Sequence, residues 1–211
     1  WTNGSITLPL AWKIYQKGSG KTKIDLALEL LSYALFTLNI APKAFLFDAF
    51  YAAEKILKFL IIHEQTFYSQ LPKNRMFDHE PLSKHNKGRP YWIKTGVIKG
   101  NIRVQIVRNR KKYYLTNAIG VARKEHLATY KLRWRIEEVF RFVKHELGLE
   151  KCQSITLIGQ QNHFGTCFYL YAHLQDIAQQ TGLTNYALKM KATQDRDFVQ
   201  QLDLTMNFSG A

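Results

Sequence analysis

The chain has 211 residues, of which 46% are hydrophobic and 13% aromatic, a composition that supports a buried core and excludes intrinsic disorder. Thirty Lys and Arg against sixteen Asp and Glu give a formal net charge of +14 and a pI near 9.8. Such an excess favours a polyanionic partner, most often nucleic acid. A basic protein without that partner and a membrane-surface protein are the alternatives.

Apolar runs and cysteines indicate the cellular setting. No apolar run approaches the roughly 18 residues of a membrane span, and the best candidate, Ile56 to Ile62, is short and interrupted by Lys58. Cys152 and Cys167 have neither a disulfide framework nor zinc-site spacing, which favours a reducing, cytoplasmic compartment. Because the chain begins at Trp1 without an initiator Met, we expect that its N-terminus has been cut away.

The first third of the chain predicts alternating strands and helices. Apolar residues at helical spacing predict helices, and short apolar runs bounded by turn residues or acids predict strands. The predicted order is strand, helix, strand, helix, strand, over Ser5–Tyr15, Ile24–Leu38, Phe45–Phe47, Tyr51–Ile62 and Thr66–Leu71. Asp48 ends the third of these segments.

The composition of the rest of the chain changes twice. Residues 72–90 are polar with three prolines and predict an exposed loop. Three short strands then predict an antiparallel meander: Tyr91–Ile98, Ile102–Val107 and Tyr113–Thr116, the last two joined by a basic run. A long helix from Glu125 to Leu147, closed by Gly148, and a helix over His163–Gln180 follow, and the tail after Lys189 is polar. This order indicates an α/β fold.

The long predicted helix has two opposite faces. At about 100° per residue, one narrow face carries Tyr130, Arg133, Glu137, Arg141 and Lys144. The opposite face predicts a core contact through Leu132, Ile136, Val139, Phe140, Val143 and Leu147. On its own, such a charged face is more often a solvated surface with ion pairs at four-residue spacing than a functional site.

The spacing Tyr130-x-x-Arg133-x-x-x-Glu137, followed by Lys144, resembles the Y-R-E-K signature of one branch of DDE transposases of bacterial insertion sequences. The segment Phe47-Asp48-Ala49-Phe50-Tyr51 resembles the block around that family's second catalytic aspartate. The resemblance spans roughly Ser5 to Ala172.

The resemblance implies an α/β, ribonuclease H-like fold: a mixed sheet flanked by helices, with an antiparallel β insertion before the last catalytic helix. In this interpretation residues 1–71 are the first part of the core, lacking its first strand, and 72–118 are the loop and insertion. Residues 119–188 are the second part of the core, and 189–211 are a polar tail.

The resemblance also implies a catalytic site in which three carboxylates hold two divalent metal ions, Mg²⁺ or in its place Mn²⁺. Asp48 would be the second carboxylate and Glu137 the third, each both catalytic and a metal ligand. Glu138 competes with Glu137 but lies about 100° further round the helix. The first aspartate has no counterpart here, so we expect residues 1–211 alone to be unable to cleave DNA.

In the family, the Tyr, Arg and Lys of the signature contact the DNA backbone, which implies this role for Tyr130, Arg133 and Lys144; Arg141 shares their face. A further candidate contact is the basic loop, including Arg108, Arg110, Lys111 and Lys112, although a hairpin tip kept soluble by charge explains it equally well.

The function implied is the catalytic domain of a transposase that cleaves transposon ends and performs strand transfer. Its partners would be double-stranded DNA of the transposon ends and target and a second copy in a synaptic homodimer, in the bacterial cytoplasm at the nucleoid. A catalytically dead DNA-binding relic of a transposase and a host nuclease of the same fold are the alternatives.

Overall fold

The computed structural model describes residues 1–85, 87–195 and 197–198. They fall into two compact units. Leu10–Trp134 form the first, which we call the sheet unit; the described residues of Trp1–Pro9 and Arg135–Ala211 form the second, the helical unit.

The sheet unit contains seven strands and three helices. The strands are β1 (Phe45–Phe47), β2 (Phe67–Leu71), β3 (Met76–Phe77), β4 (Glu80–Pro81), β5 (Tyr91–Ile98), β6 (Ile102–Asn109) and β7 (Lys112–Thr116). They form one sheet in the order β1-β2-β7-β6-β5-β3-β4, in which β1 and β2 are parallel and all other neighbours antiparallel. The helices are α1 (Lys23–Ser32), α2 (Glu54–Ile62) and α3 (Arg123–Lys131).

Alternation along the strands gives the sheet two apolar faces. One face carries Phe67, Ile106 and Leu115, all fully buried, and packs against α1 and α2. The other carries Tyr68, Val107 and Tyr114 and packs against α3. The fold is therefore mixed α/β, a seven-stranded sheet flanked by helices, consistent with the predicted ribonuclease H-like class.

Sequence patterns located most of these elements. The predicted strands at 45–47, 66–71, 91–98, 102–107 and 113–116 correspond to β1, β2, β5, β6 and β7. The predicted helix 24–38 is α1 followed by a π-helical turn, Tyr33–Thr37. The 72–90 segment is mostly irregular, as predicted, although it includes the short pair β3 and β4 and a 3-10 turn, Leu82–Lys84.

The predicted strand Ser5–Tyr15 is wrong. Within the described residues this segment has only an isolated bridge between Thr2 and Thr7, and residues 8–16 form no regular structure. Further along, Lys13 and Lys21 pair with Glu29 of α1. A β-compatible sequence becomes a strand only where a partner strand satisfies its backbone groups.

The predicted long helix 125–147 is also wrong in one respect, because it is two helices. α3 ends at Lys131 and the next helix, α4, covers Trp134–His145. Between them the backbone tightens, with Leu132 N bonded to Thr129 O and Arg133 N to Tyr130 O. No glycine or proline marks the break in the sequence.

The helical unit contains α4 from Arg135 onward, a 3-10 turn (Leu149–Lys151), α5 (Leu157–Thr181) and α6 (Asn185–Gln194). Its core includes Phe142 and Val143 of α4, Tyr171 and Leu174 of α5 and Leu188 of α6. Gly148 has a φ of 71°, which suits a glycine after a helix end. Among the described residues, no helix combines the length and apolar character that a membrane crossing requires.

The predicted core face of the 130–147 helix is only partly correct. Val139 and Val143 are buried, and Leu147 packs against the same cluster. Ile136 and Phe140, however, are 52% and 40% exposed, and Leu132 is also exposed. The predicted helix 163–180 is α5, which begins earlier, and the predicted tail overlaps α6 up to Gln194; residues 196 and 199–211 lie outside the described residues.

Candidate functional site

Asp48 is an exposed carboxylate at the end of β1, held by its own turn. Its Oδ1 accepts hydrogen bonds from the backbone N–H groups of Phe50 (2.9 Å) and Tyr51 (3.4 Å). Its backbone carbonyl accepts a hydrogen bond from Oγ of Ser69, a fully buried residue of β2, at 3.0 Å. In the described part of the chain nothing bonds to Oδ2, so the carboxylate is oriented and one oxygen is open to solvent.

Tyr130 lies within electrostatic reach of both Asp48 and Arg133. The Arg133 guanidinium lies over the Tyr130 ring, 5.7 Å from its centroid, and the ring packs edge-on against Tyr114 at 5.1 Å. Burial raises the pKa of Tyr130; Arg133 opposes this rise, and the Asp48 carboxylate adds to it. Of the sequence-predicted residues, Tyr130 is therefore the one that the structure places near both Asp48 and Arg133.

Burial decides what Tyr130 can do there. Its side chain is only 9% exposed and belongs to the cluster between α3 and the sheet. With a raised pKa the phenol stays neutral at physiological pH, so it can donate a hydrogen bond but carries no charge. Arg133 supplies the positive charge beside the Tyr130 ring.

His126 of α3 lies at the centre of the same cluster. It is fully buried, and its ring packs edge-on against Tyr68 (4.9 Å) and Tyr114 (6.3 Å). Neither ring nitrogen has a hydrogen-bond partner among the described residues. Burial lowers the pKa of His126 to about 4, so the imidazole is neutral.

The loop between β6 and β7 is shorter than the predicted basic run, because part of that run lies in the strands. Arg108 is the penultimate residue of β6 and Lys112 the first residue of β7, which leaves a two-residue turn, Arg110–Lys111, with Arg110 at φ 57°. Arg108 lies over the Tyr113 ring at 5.5 Å and donates from Nε to the Arg110 carbonyl at 3.0 Å. Arg110, Lys111 and Lys112 are exposed.

Strand register places this turn at the same edge of the sheet as Asp48. β1 and β2 are parallel and end there, Leu71 of β2 pairs with Tyr113, and Asn109 pairs with both Lys112 and Tyr91. Adjacent strands are about 4.8 Å apart and rise about 3.4 Å per residue, and the turn lies beyond the level of Asp48 along the strands, so the two are roughly 15–20 Å apart. One edge of the sheet unit thus carries a carboxylate and a basic turn.

The other predicted site residues, Glu137, Arg141 and Lys144, belong to the helical unit. Within α4 their spacing places them on one face of the helix. Glu137 is half-buried, and Arg141 and Lys144 are exposed. Lys144 pairs with Glu150 at 2.7 Å, which lowers the pKa of Glu150.

Glu138, the competitor of Glu137, has a different environment. Its carboxylate pairs with Arg135 at 2.8 Å, and Arg135 also donates to the Gly4 carbonyl at 2.8 Å. Both residues line a cavity of about 480 Å³ between α4, α5 and the start of α6. Glu138 is therefore engaged in the packing of the helical unit.

Several side chains at this edge of the sheet unit had no role in the sequence interpretation. They are Ser69, Tyr91, Tyr114, Arg123 and His126. Ser69 alone carried a signal, because it is a polar residue in a predicted strand. The other contacts join distant parts of the chain, and no local pattern predicts them.

No group of three or more His, Cys, Asp or Glu in the described residues could hold a metal ion. The described residues therefore do not by themselves form a three-carboxylate site.

Comparison with known protein families gives one match. The model of a family described as "Transposase DDE domain" matches residues 19–172, which include Asp48, the sheet and α4. A search of curated proteins found no match. Because the family match covers well over half of the chain and includes its candidate site residues, the chain belongs to the transposase DDE domain family.

Proposed function

We propose that this chain is part of the catalytic domain of a DNA transposase that cleaves transposon ends and transfers the cut strands to target DNA. The family match supports a transposase catalytic-domain function and a DNA substrate. We further propose the cleavage chemistry, the metal and the residues that contact DNA.

The observation that carries the proposal is the arrangement around Asp48. One carboxylate oxygen of Asp48 is oriented by two backbone N–H groups, and the Asp48 carboxylate and the Arg133 guanidinium both act electrostatically on the Tyr130 phenol. A carboxylate and a guanidinium near one phenol can serve an anionic polymer in two ways: the guanidinium forks onto phosphate oxygens, and the carboxylate offers hard oxygens.

The family typically uses divalent metal ions, and we propose Mg²⁺, with Asp48 and Glu137 as ligands and Mn²⁺ as a substitute. Carboxylate oxygens are the ligands that Mg²⁺ prefers. Two carboxylates are fewer than the three that the resemblance implies, and the described residues contain no group of three.

The proposed DNA contacts follow the distribution of charge. Arg133 in the sheet unit and Arg141 and Lys144 in the helical unit would contact phosphates, with Tyr130 as the buried support of Arg133. The basic turn, with Arg108, Arg110, Lys111 and Lys112, would add contacts at the sheet edge. The partner would be double-stranded DNA of the transposon ends and target, with a homodimer in the synaptic complex at the bacterial nucleoid.

The test combines binding with cleavage, using residues 1–211 and a supercoiled plasmid that carries the DNA flanking the reading frame. We expect DNA binding that weakens steeply with salt, because the net charge is +14. We expect no nicking in Mg²⁺, because the described residues form no three-carboxylate group. Lack of binding at low salt would contradict the proposed function.

Nicking that is lost in Glu137→Gln and Asp48→Asn would support the catalytic assignment and overturn the expected inactivity. Nicking that survives both substitutions would place catalysis elsewhere.

A DNA-binding relic of a transposase is the second candidate, favoured by the missing three-carboxylate group. The flanking DNA distinguishes the two. Inverted repeats on both sides, with an upstream in-frame strand ending in Asp, would support an active element. A stop codon directly ahead of Trp1 would support the relic.

A further inference from the structure

Three side chains from separate parts of the sheet unit converge on one exposed edge of the sheet. Tyr91 is the first residue of β5, Arg110 lies in the turn between β6 and β7, and Arg123 is the first residue of α3. The Arg123 guanidinium carbon is 4.6 Å from the centroid of the Tyr91 ring, and Arg110 Nε donates to the Tyr91 hydroxyl at 3.4 Å. We call these three residues the Tyr91 cluster.

The backbone fixes the cluster from two sides. Arg110 N donates to the Pro90 carbonyl at 2.7 Å, and the Tyr91 backbone pairs with Asn109. The turn is therefore tied to the start of β5, and both guanidiniums are held against one phenol rather than free to separate.

Interactions within the protein do not offset the repulsion between these two positively charged side chains. Among the described residues, neither Arg110 nor Arg123 forms an ion pair with an acid. Arg123 and the neighbouring Lys124 also occupy the first turn of α3, where the helix dipole disfavours cations. Two guanidiniums near one ring repel each other, and a cation–π contact of about 0.5–1 kcal/mol at an exposed site offsets only part of such costs.

We infer that the Tyr91 cluster is a binding site for the phosphodiester backbone of duplex DNA. A phosphate between the two arginines would neutralise their repulsion, and each guanidinium can fork onto its oxygens. Tyr91, 44% exposed, would act as the positioning residue that holds both arginines in place. The inference rests on the proposed function and deepens it by adding Tyr91 and Arg123 to the DNA-contacting surface.

The surroundings favour a polymer over a small anion. Lys111, Lys112 and Lys124 are exposed next to the cluster, so positive charge extends along the edge rather than closing around one ion. Asp48 lies at the same edge, roughly 15–20 Å from the turn by strand spacing and register. Phosphates of one DNA strand advance about 3.4 Å along the axis, so the cluster would hold the backbone a few base pairs from the phosphate nearest Asp48.

The experiment measures fluorescence anisotropy of a labelled duplex of about 30 base pairs with residues 1–211, over about 50–300 mM salt. The test variant is Arg110→Gln with Arg123→Gln. The matched control is Lys43→Gln with Arg103→Gln, which removes the same charge from exposed residues at the opposite edge of the sheet. Circular dichroism and thermal melting confirm that each variant is folded.

We expect the test variant to bind at least tenfold more weakly than the control at the lowest salt. The slope of log K against log salt should fall by about 1, since the phosphate held between the two arginines contributes roughly 0.9. The affinity of Tyr91→Ala for the duplex should approach that of the double variant. Tyr91→Phe keeps the ring under Arg123 and loses only the hydroxyl, so its affinity should lie between those of Tyr91→Ala and the wild type.

Equal affinity and slope in the test and control variants would overturn the inference while leaving the proposed function intact. No binding by the wild type at low salt would overturn both. Stronger displacement by an RNA duplex of equal length than by DNA would overturn the assignment to DNA.

Discussion

At the scale of single residues, the surroundings of Asp48 show how buried side chains organise an exposed carboxylate. Ser69 bonds to its backbone from the neighbouring strand, and Tyr130, buried against Tyr114, supports Arg133. These supports are apolar or neutral, so the charges of Asp48 and Arg133 are the only full charges among these five residues. Buried neutral side chains therefore support both charged residues.

His126 provides a prediction at this scale. A buried imidazole with two unpartnered nitrogens lowers stability, because each buried polar atom without a hydrogen bond costs about 1–3 kcal/mol. We expect His126→Phe, which keeps an aromatic ring among the tyrosines, to raise the free energy of unfolding by about 1 kcal/mol at neutral pH. Urea denaturation followed by circular dichroism measures it; a destabilised variant would mean that the nitrogens have partners.

The same residue predicts a pH dependence. Burial lowers the pKa of His126 from 6.5 to about 4 in the folded chain, so the unfolded chain takes up its proton first as pH falls. Above pH 6.5 this protonation does not affect stability. As pH falls from 6.5 to 4, the free energy of unfolding decreases by up to about 3 kcal/mol. The difference in unfolding free energy between His126→Phe and the wild type should therefore grow from about pH 7 to about pH 5. A constant difference would contradict the assignment.

At the scale of secondary-structure elements, the break between α3 and α4 is the main departure from the sequence pattern. The turn at Leu132–Arg133 also coincides with the boundary of the two compact units, at Trp134. The helical wheel of α3 therefore cannot be extended into α4, and the apolar residues of α4 that pack in the core differ from those that one continuous wheel predicts.

Two matched truncations in α4 test this difference. Val143→Ala removes buried methyl groups and should lower the free energy of unfolding by about 2 kcal/mol, because a cavity remains. Ile136→Ala, at an exposed position, should change it by less than about 0.5 kcal/mol. Denaturant unfolding measures both. Equal costs would favour the continuous helix with Ile136 in the core.

At the scale of the whole molecule, connecting segments without regular structure should be the first to yield to proteases. Lys17 lies in an exposed turn, while Lys13 and Lys21 on either side of it pair with Glu29. We expect brief trypsin treatment to cut first at Lys17 and at Lys87 in the irregular loop, since the strands β5 to β7 and the helix α5 are hydrogen-bonded. Mass spectrometry of the early fragments identifies the sites.

Replacing Lys17 with Gln should remove the first of these cuts and leave the loop cut unchanged. Initial cleavage within the strands β5, β6 or β7, rather than in the turns that join them, would contradict the described sheet.

Several features of this protein followed from its sequence alone. The short strand that ends at Asp48, the meander from Tyr91 to Thr116 and the basic charge depend on local periodicity and composition, and these are properties of a continuous stretch of chain. The Tyr-Arg-Glu-Lys spacing and the Asp48 block indicated a DDE transposase, because such motifs are defined by residue types and spacings along the chain. The match at residues 19–172 confirmed that the chain belongs to the transposase DDE domain family.

Tertiary structure decided what local patterns could not. Ser5–Tyr15 has strand-like residues but no partner strand, and the helix break follows no glycine or proline. The contacts of His126 with Tyr68 and of Arg123 with Tyr91 arise because α3 packs across one face of the sheet. Backbone pairing and burial depend on residues far apart in the chain, so only the folded arrangement determines which side chains meet.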